Sequence, residues 1–324
     1  MSLVPVGSLD SPDVRLVRLA APDIDCSGPW LFWPRPVSPV LRRGLEAGGQ
    51  MTPVVIDGGG PRPVLVAGMA RVACLAELGR EVLCLDVGSV SAWDKGLLYI
   101  QSNLGLDIDD ARLVAALRYF AGLDASRLDV VFESLGLVVR SKTARLAQAW
   151  LALPEAWDAL LARGALPLAC AEVLAGFPPE DLGALESLFA SLSWSRGNAL
   201  NVLTWIQETC LRENDRVRDV LGRMDADRIL RADLSPKDAM ARLTQAARRQ
   251  RYPELTRMER DFETAVANLG GTRWRITQPD RFETDGVELS MRVSGRADLE
   301  RAVRDLVDLA AREAWRDLFS EESR

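Results

Sequence analysis

Two short stretches of this chain place chemically useful residue types at useful spacings. In the first, a strand read at 63–67 runs into Gly68 and then into a helix read at 68–78. A strand-to-helix turn of this kind aims backbone N–H groups and the positive end of a helix at one spot, where phosphate tends to bind. Arg71, one turn into that helix, can add a charge-assisted contact. A lone glycine there also serves the geometry of the turn whether or not anything binds. In the second stretch, Arg140, Ser141, Lys142 and Arg145 gather at the start of a helix that follows a glycine turn. This is the part of a helix-turn-helix that faces phosphates and base edges; by charge alone the same residues are an ordinary solvated face. Glu77, Asp86 and Asp94 are the acids that an enzymatic reading would draw on near Gly68, although scattered acids on helix surfaces are usually solvated.

Some chemistries are excluded outright. The chain has no histidine, which removes the commonest general base, the Ser-His and Cys-His nucleophile systems and histidine metal sites. Its five cysteines, Cys26, Cys74, Cys84, Cys170 and Cys210, lie far apart with no C-x-x-C pair and read as buried or free thiols. A net charge of −6 means that any contact with DNA must come from a local basic face rather than from the whole surface. No apolar run of 18 or more residues is present, and the first residues lack the order of a signal peptide, so the expectation is a cytoplasmic protein with no membrane partner.

The elements that must position these residues follow from pattern. With 324 residues, 48% of them hydrophobic, the chain can build two or three cores. Residues 1 to 50 are rich in proline and suit an irregular, partly extended segment, with Trp30, Phe32 and Trp33 filling a core. Short strands are predicted at 53–57, 63–67 and 81–87 around the helix at 68–78. From about 90 to 230 apolar residues recur at helical spacing, broken at Asp107, Gly122, Gly136, Pro154, Gly164, Pro178 and Ser193. A helix at about 128–135, a glycine turn at Gly136 and a second helix from near Arg140, with Ala144, Ala147 and Leu151 on one face, make the helix-turn-helix pattern. The stretch from 214 to 262 is highly charged and reads as exposed helices and connections, with a domain boundary near 215–235. The end of the chain offers a helix closing at Gly270-Gly271, strands around 272–277 and 286–293, and a helix over 296–319 carrying Leu299, Val303, Leu306, Leu309 and Ala310 on one face. The fold class is therefore α+β and mostly helical.

Over roughly residues 38–175 the chain resembles the ParB/KorB-like family of partition and nucleoid-associated proteins. The resemblance rests on the order Gly49, Thr52-Pro53-Val54-Val55-Ile56, Val66-Ala67-Gly68, Leu78-Gly79 and Val82, and then on Asn103, the 128–151 segment, Leu153-Pro154-Glu155, and Gly164/Leu166 with Ala171 and Leu174. The departures fall on the chemistry. Where the family has GERR this chain has Gly68-Met69-Ala70-Arg71, and where it has ENxxR this chain has Ser102-Asn103-Leu104-Gly105-Leu106. The resemblance implies a CTP-binding, clamp-like domain using magnesium, of whose residues only Gly68, Arg71 and Asn103 carry over. Losing two cations from a phosphate cradle weakens it severely, since each charge-assisted contact is worth roughly 1.5–3 kcal/mol, so nucleotide hydrolysis is expected to be absent or vestigial. The helix-turn-helix also departs from the usual form, its turn being about two residues longer and carrying apolar Leu137-Val138-Val139.

The resemblance implies a small ParB-like α/β domain over 1–105, a helical helix-turn-helix domain over 106–215, and a linker with a small α+β module over 216–324 placed where the family often dimerises. The expected function is that of a ParB-like, nucleoid-associated, DNA-binding homodimer that contacts double-stranded DNA through Arg140, Ser141, Lys142 and Arg145. The alternative is a non-enzymatic protein-interaction or regulatory module on the same fold, with a protein partner in place of DNA. An enzyme is the third reading.

Overall fold

The computed structural model describes residues 14–270, 273–284 and 286–317. It is α+β and mostly helical, and it divides into two compact units, the first ending at Leu203 and the second beginning at Thr204.

The first unit opens with β1 (Arg15–Leu19), followed after a 3-10 turn by α1 (Pro39–Gly48). Then come β2 (Val54–Asp57), β3 (Val64–Ala67), α2 (Met69–Glu77) and β4 (Val82–Asp86). The three strands and the helix expected between 53 and 87 are all present within a residue or two. The segment before residue 50 contains more regular structure than its prolines suggest. RLVRL forms a strand, and Ser38 accepts a hydrogen bond from the Leu41 amide to cap a ten-residue helix whose first residue is Pro39, the position where proline's missing N–H costs nothing.

The sheet order is β1-β4-β2-β3. β4 runs parallel to β2, with Cys84 opposite Val54, whereas β1 lies antiparallel to β4 and β3 antiparallel to β2. The core under this sheet is made by Val54, Ile56, Leu65, Val72, Leu75, Val82 and Cys84 with Leu45 from α1.

Helices make up the rest of the unit: α3 (Ala92–Gln101), α4 (Asp110–Asp124), α5 (Leu128–Ser134), α6 (Lys142–Leu151), α7 (Asp158–Ala162), α8 (Ala171–Ala175), α9 (Pro179–Ala190) and the first part of α10 (Arg196–Glu213). Gly122, expected to break the chain, lies inside α4; the burial of Leu113, Val114, Leu117 and Phe120 on that helix outweighs the roughly 1 kcal/mol propensity penalty of one glycine. The aromatic segment before α1 fills core, as its composition suggests. Trp30 Nε1 donates to the Leu65 carbonyl (2.8 Å) and Trp33 Nε1 to the Arg112 carbonyl (2.8 Å), while the Phe32 ring packs edge-on against Tyr99. Trp30 thereby ties this segment to β3, and Trp33 ties it to α4.

The second unit holds the remainder of α10, then α11 (Val217–Arg223), α12 (Ala226–Arg231), α13 (Pro236–Arg251) and α14 (Pro253–Asn268). The charged stretch is helical, as expected, around a narrow apolar core of Val217, Val220, Met224, Leu243 and Ala247. A two-stranded antiparallel ribbon of β5 (Arg275–Thr277) and β6 (Glu288–Ser290) follows, with Ile276 opposite Leu289.

The last helix, α15 (Arg296–Ala310), ends earlier than the predicted 319; residues 318 and 319, like Gly271 at the predicted close of α14, lie outside the described residues. Its apolar residues occupy two sides rather than one. Leu309 and Leu306 join Leu269 and Ile276 in a small core, whereas Leu299, Val303 and Val307 are exposed. No helix among the described residues is long and apolar enough to cross a membrane.

Candidate functional site

The segment from α5 to α6, expected to form a helix-turn-helix, is built by local signals. α5 ends in a Schellman arrangement: the Leu137 amide donates to the Phe132 carbonyl (2.8 Å) and the Gly136 amide to the Glu133 carbonyl (2.9 Å). That motif requires a left-handed residue at Gly136, which sits at φ 73. The turn then runs to Ser141, whose hydroxyl oxygen accepts from the Ala144 amide and caps α6. α6 buries Ala144, Leu146, Ala147 and Trp150, with Leu151 half-buried.

The C-terminal end of α6 is held by Arg118 of α4. Its guanidinium donates to the Leu151 and Leu153 carbonyls (2.9 and 2.8 Å) and pairs with Asp158 (3.0 Å), which also accepts from Trp150 Nε1 (2.8 Å). This places a cation where the helix leaves carbonyls without partners. The sequence reading missed this clamp; its signal was a lone arginine inside the apolar run of α4.

At the other end of α6, Arg140, Lys142 and Arg145 are exposed. None of the three forms an ion pair among the described residues, whereas Arg118, Arg223, Arg248 and Arg251 do. Ser141 differs from them, because its oxygen already serves the helix cap. In the turn, Leu137 and Val139 are half-buried and Val138 is exposed.

The three residues considered for nucleotide binding fall into two places. Gly68, at φ 107, is the left-handed residue before α2, and a Cβ there would stand 2.7 Å from Val54 Cγ1 and 3.2 Å from Arg71 Nη2. Gly68 and Arg71 are therefore together at the start of α2. Arg71 Nη1, however, donates to the Thr52 and Pro53 carbonyls (2.9 and 2.8 Å), which ties α2 to the residues leading into β2. Burial lowers the pKa of this guanidinium. Asn103 lies beyond the C-terminal end of α3, where its amide donates to the Tyr99 carbonyl (2.8 Å).

The acids considered for catalysis are all engaged. Glu77 pairs with Arg42, and Asp94 accepts from the Ser91 hydroxyl at the start of α3. Asp86 is buried and accepts from the Gly58 and Gly88 amides (2.9 and 3.0 Å) and from Arg15 Nε (3.1 Å).

A second buried acid, Asp57, was not singled out from the sequence. It ends β2 beside the end of the parallel strand β4, accepts from the Gly59 amide (2.9 Å) and pairs with Lys95 Nζ (2.7 Å), which also lies over the Trp30 ring. Burial alone would push the Asp57 carboxyl up. The Lys95 bond and charge, with the Gly59 and Val90 amides, outweigh it and hold the group below its ordinary value. The ends of parallel strands are common sites of binding in α/β folds, but here both carboxylates have their acceptor oxygens filled by loop amides and cations. Their chemistry is to fix the 58–60 and 87–90 loops, and the run Asp57-Gly58-Gly59-Gly60 was the sequence signal for it.

All five cysteines are free thiols; burial pushes Cys170 up to about 12, and burial with the charge of Asp86 pushes Cys84 up to about 11, so neither is a ready nucleophile. Among the described residues no group of three or more acids and cysteines is placed to hold a metal ion. No protein-family model matches the chain, and no curated protein is significantly similar to it.

Proposed function

We propose that this protein is a ParB-like DNA-binding protein, acting as a homodimer, that engages the backbone and major-groove edges of double-stranded DNA through the N-terminal turn of α6. The observation that carries this reading is the set of three exposed cations left without ion pairs among the described residues, Arg140 in the Schellman-closed turn just before the cap and Lys142 and Arg145 in the first turn of α6. In a chain of net charge −6, cations left unpaired on one helix end give the local basic face that phosphate contact needs. The exposed Val138 beside them offers an apolar contact of the kind that reads a thymine methyl. The clamp of Arg118 on the other end of α6 supports the same reading, because a helix that reads bases must be held at a fixed angle. The dimer would form through α15, whose exposed Leu299, Val303 and Val307 make an unpartnered apolar stripe.

Nucleotide turnover is not part of this function. CTP with magnesium remains the candidate ligand at Gly68 and Arg71, but one guanidinium nitrogen there is held by backbone carbonyls, and the acids nearby are engaged elsewhere.

Fluorescence anisotropy with labelled duplex DNA, with and without CTP and magnesium, tests the reading. The expected result is binding whose logarithm falls with the logarithm of salt concentration with a slope of roughly −2 to −3, as three phosphate contacts require. The double variant Arg140→Ala/Arg145→Ala should bind at least tenfold more weakly, with the slope reduced by about 2 and the thermal unfolding midpoint unchanged. Absence of binding at low salt would leave the protein-interaction module as the reading, and binding unaffected by the double variant would move the DNA site off α6.

A further inference from the structure

The second unit carries a cleft of about 370 Å³ between α11, α12 and α13, and it is lined by four arginines, Arg223, Arg228, Arg242 and Arg249, against one acid, Asp225. Their partners divide them. Arg223 is held by Glu213 and Asp215 (2.6 and 2.7 Å) and Arg228 by Asp225 (2.7 Å). On α13 itself, Arg248 pairs with Glu259 and Arg251 with Glu208. Arg242 and Arg249, which face the cleft from the same helix, have no ion pair among the described residues. In a surface where almost every neighbouring arginine is matched with a carboxylate, two unmatched guanidinium groups turned into one concavity leave its positive charge uncompensated.

The rest of the lining completes a binding site in kind. Met224, Ile229, Ala232 and Ala246 give it an apolar part and the amide of Gln245 a neutral donor and acceptor, while the Gln250 amide is held by Arg223, whose Nε donates to it (3.2 Å) and whose carbonyl accepts from it (3.4 Å). A volume of this size is that of a small-molecule site. Arg242 and Arg249 stand two helical turns apart, about 10 Å along the axis, so their guanidinium groups engage separate phosphoryl groups rather than forking a single one. A duplex presents its phosphates on a convex surface, which a concavity of this size suits less well than a compact ligand.

We propose that this cleft binds a nucleoside polyphosphate, its phosphoryl groups on Arg242 and Arg249 and its base over the apolar side beside Gln245. The site is separate from the DNA-binding face proposed for α6, and either can stand without the other.

Isothermal titration calorimetry of the full chain with ATP, CTP, GTP and inorganic tripolyphosphate tests it. The expected result is saturable binding of at least one nucleoside triphosphate, weaker binding of tripolyphosphate, and at least a tenfold loss of affinity in Arg242→Gln/Arg249→Gln. Arg140→Ala/Arg145→Ala should retain nucleotide binding, which separates this cleft from the DNA face. The glutamine variants keep an aliphatic stem with a neutral polar end, and far-UV circular dichroism with thermal unfolding checks that they fold; Arg257→Ala, an exposed arginine outside the cleft, serves as the control. Failure of every nucleotide to bind, binding unchanged in the Arg242/Arg249 variant, or a variant that loses only duplex DNA affinity would each overturn the proposal.

Discussion

Asp57 and Lys95 form the pair on which the sheet's loop end depends most. Both side chains are largely withdrawn from water, at 8% and 15% exposure, so removing the cation strands a buried carboxylate. Lys95→Met is expected to destabilise the protein by about 3 kcal/mol at pH 7. The Asp57 carboxyl is held below its ordinary value of 3.8, so its contribution is fully present above that pH and disappears as pH falls through the depressed folded value. The difference between wild type and variant should therefore shrink between pH 5 and pH 2, as urea unfolding across that range would show; a difference independent of pH would assign the effect to lost packing against Trp30 instead. This pair was hidden in the sequence for a physical reason. An aspartate before three glycines reads as a turn, and only the fold brings a lysine from the next helix but one against it. The basic residues of α6 were legible because they lie within six positions of one another, and Gly68 with Arg71 for the same reason.

Local signals decided which elements could be read. Gly136 and Ser141 mark the end of one helix and the start of the next by rules that act over a few residues, and both helices lie within a residue or two of their expected places. β1 had no such signal: it is five residues long, and its partner is β4, with Arg15 opposite Asp86. The two-sided character of α15 was also illegible, because periodicity shows that apolar residues recur but not how many surfaces cover them. At this scale Gly68 is the most exacting position. Its left-handed φ of 107 and the 2.7 Å approach to Val54 mean that Gly68→Ala combines backbone strain with a clash against a strand, and a loss of about 1–3 kcal/mol is expected. Chemical denaturation measures it; a neutral result would mean that the β3–α2 turn can relax.

At the scale of the whole molecule, the two units are packed differently. The first unit is closed by aromatic rings and aliphatic strands, and the second has a thinner apolar core with ion pairs around it. If α15 mediates self-association as proposed, light scattering after size exclusion should return twice the chain mass, and Val303→Glu should return the monomer without loss of helix content. A monomeric wild type would remove the dimer and leave the exposed Leu299, Val303 and Val307 without an occupant. The coarse class was readable at this scale, since helical spacing dominates the chain after residue 90.

The order β1-β4-β2-β3 has a kinetic consequence. The first strand of the sheet to be synthesised pairs only with the last, so β1 must wait for a segment some 70 residues later. A loop of that length closes at a larger entropic cost than the β2–β3 hairpin, and non-local pairings of this kind slow folding. On the ribosome, β2, β3 and α2 can assemble while β1 is still without its neighbour. The edge strand is then the last piece of the sheet to lock, and the Arg15–Asp86 bridge is the latch that forms when it does.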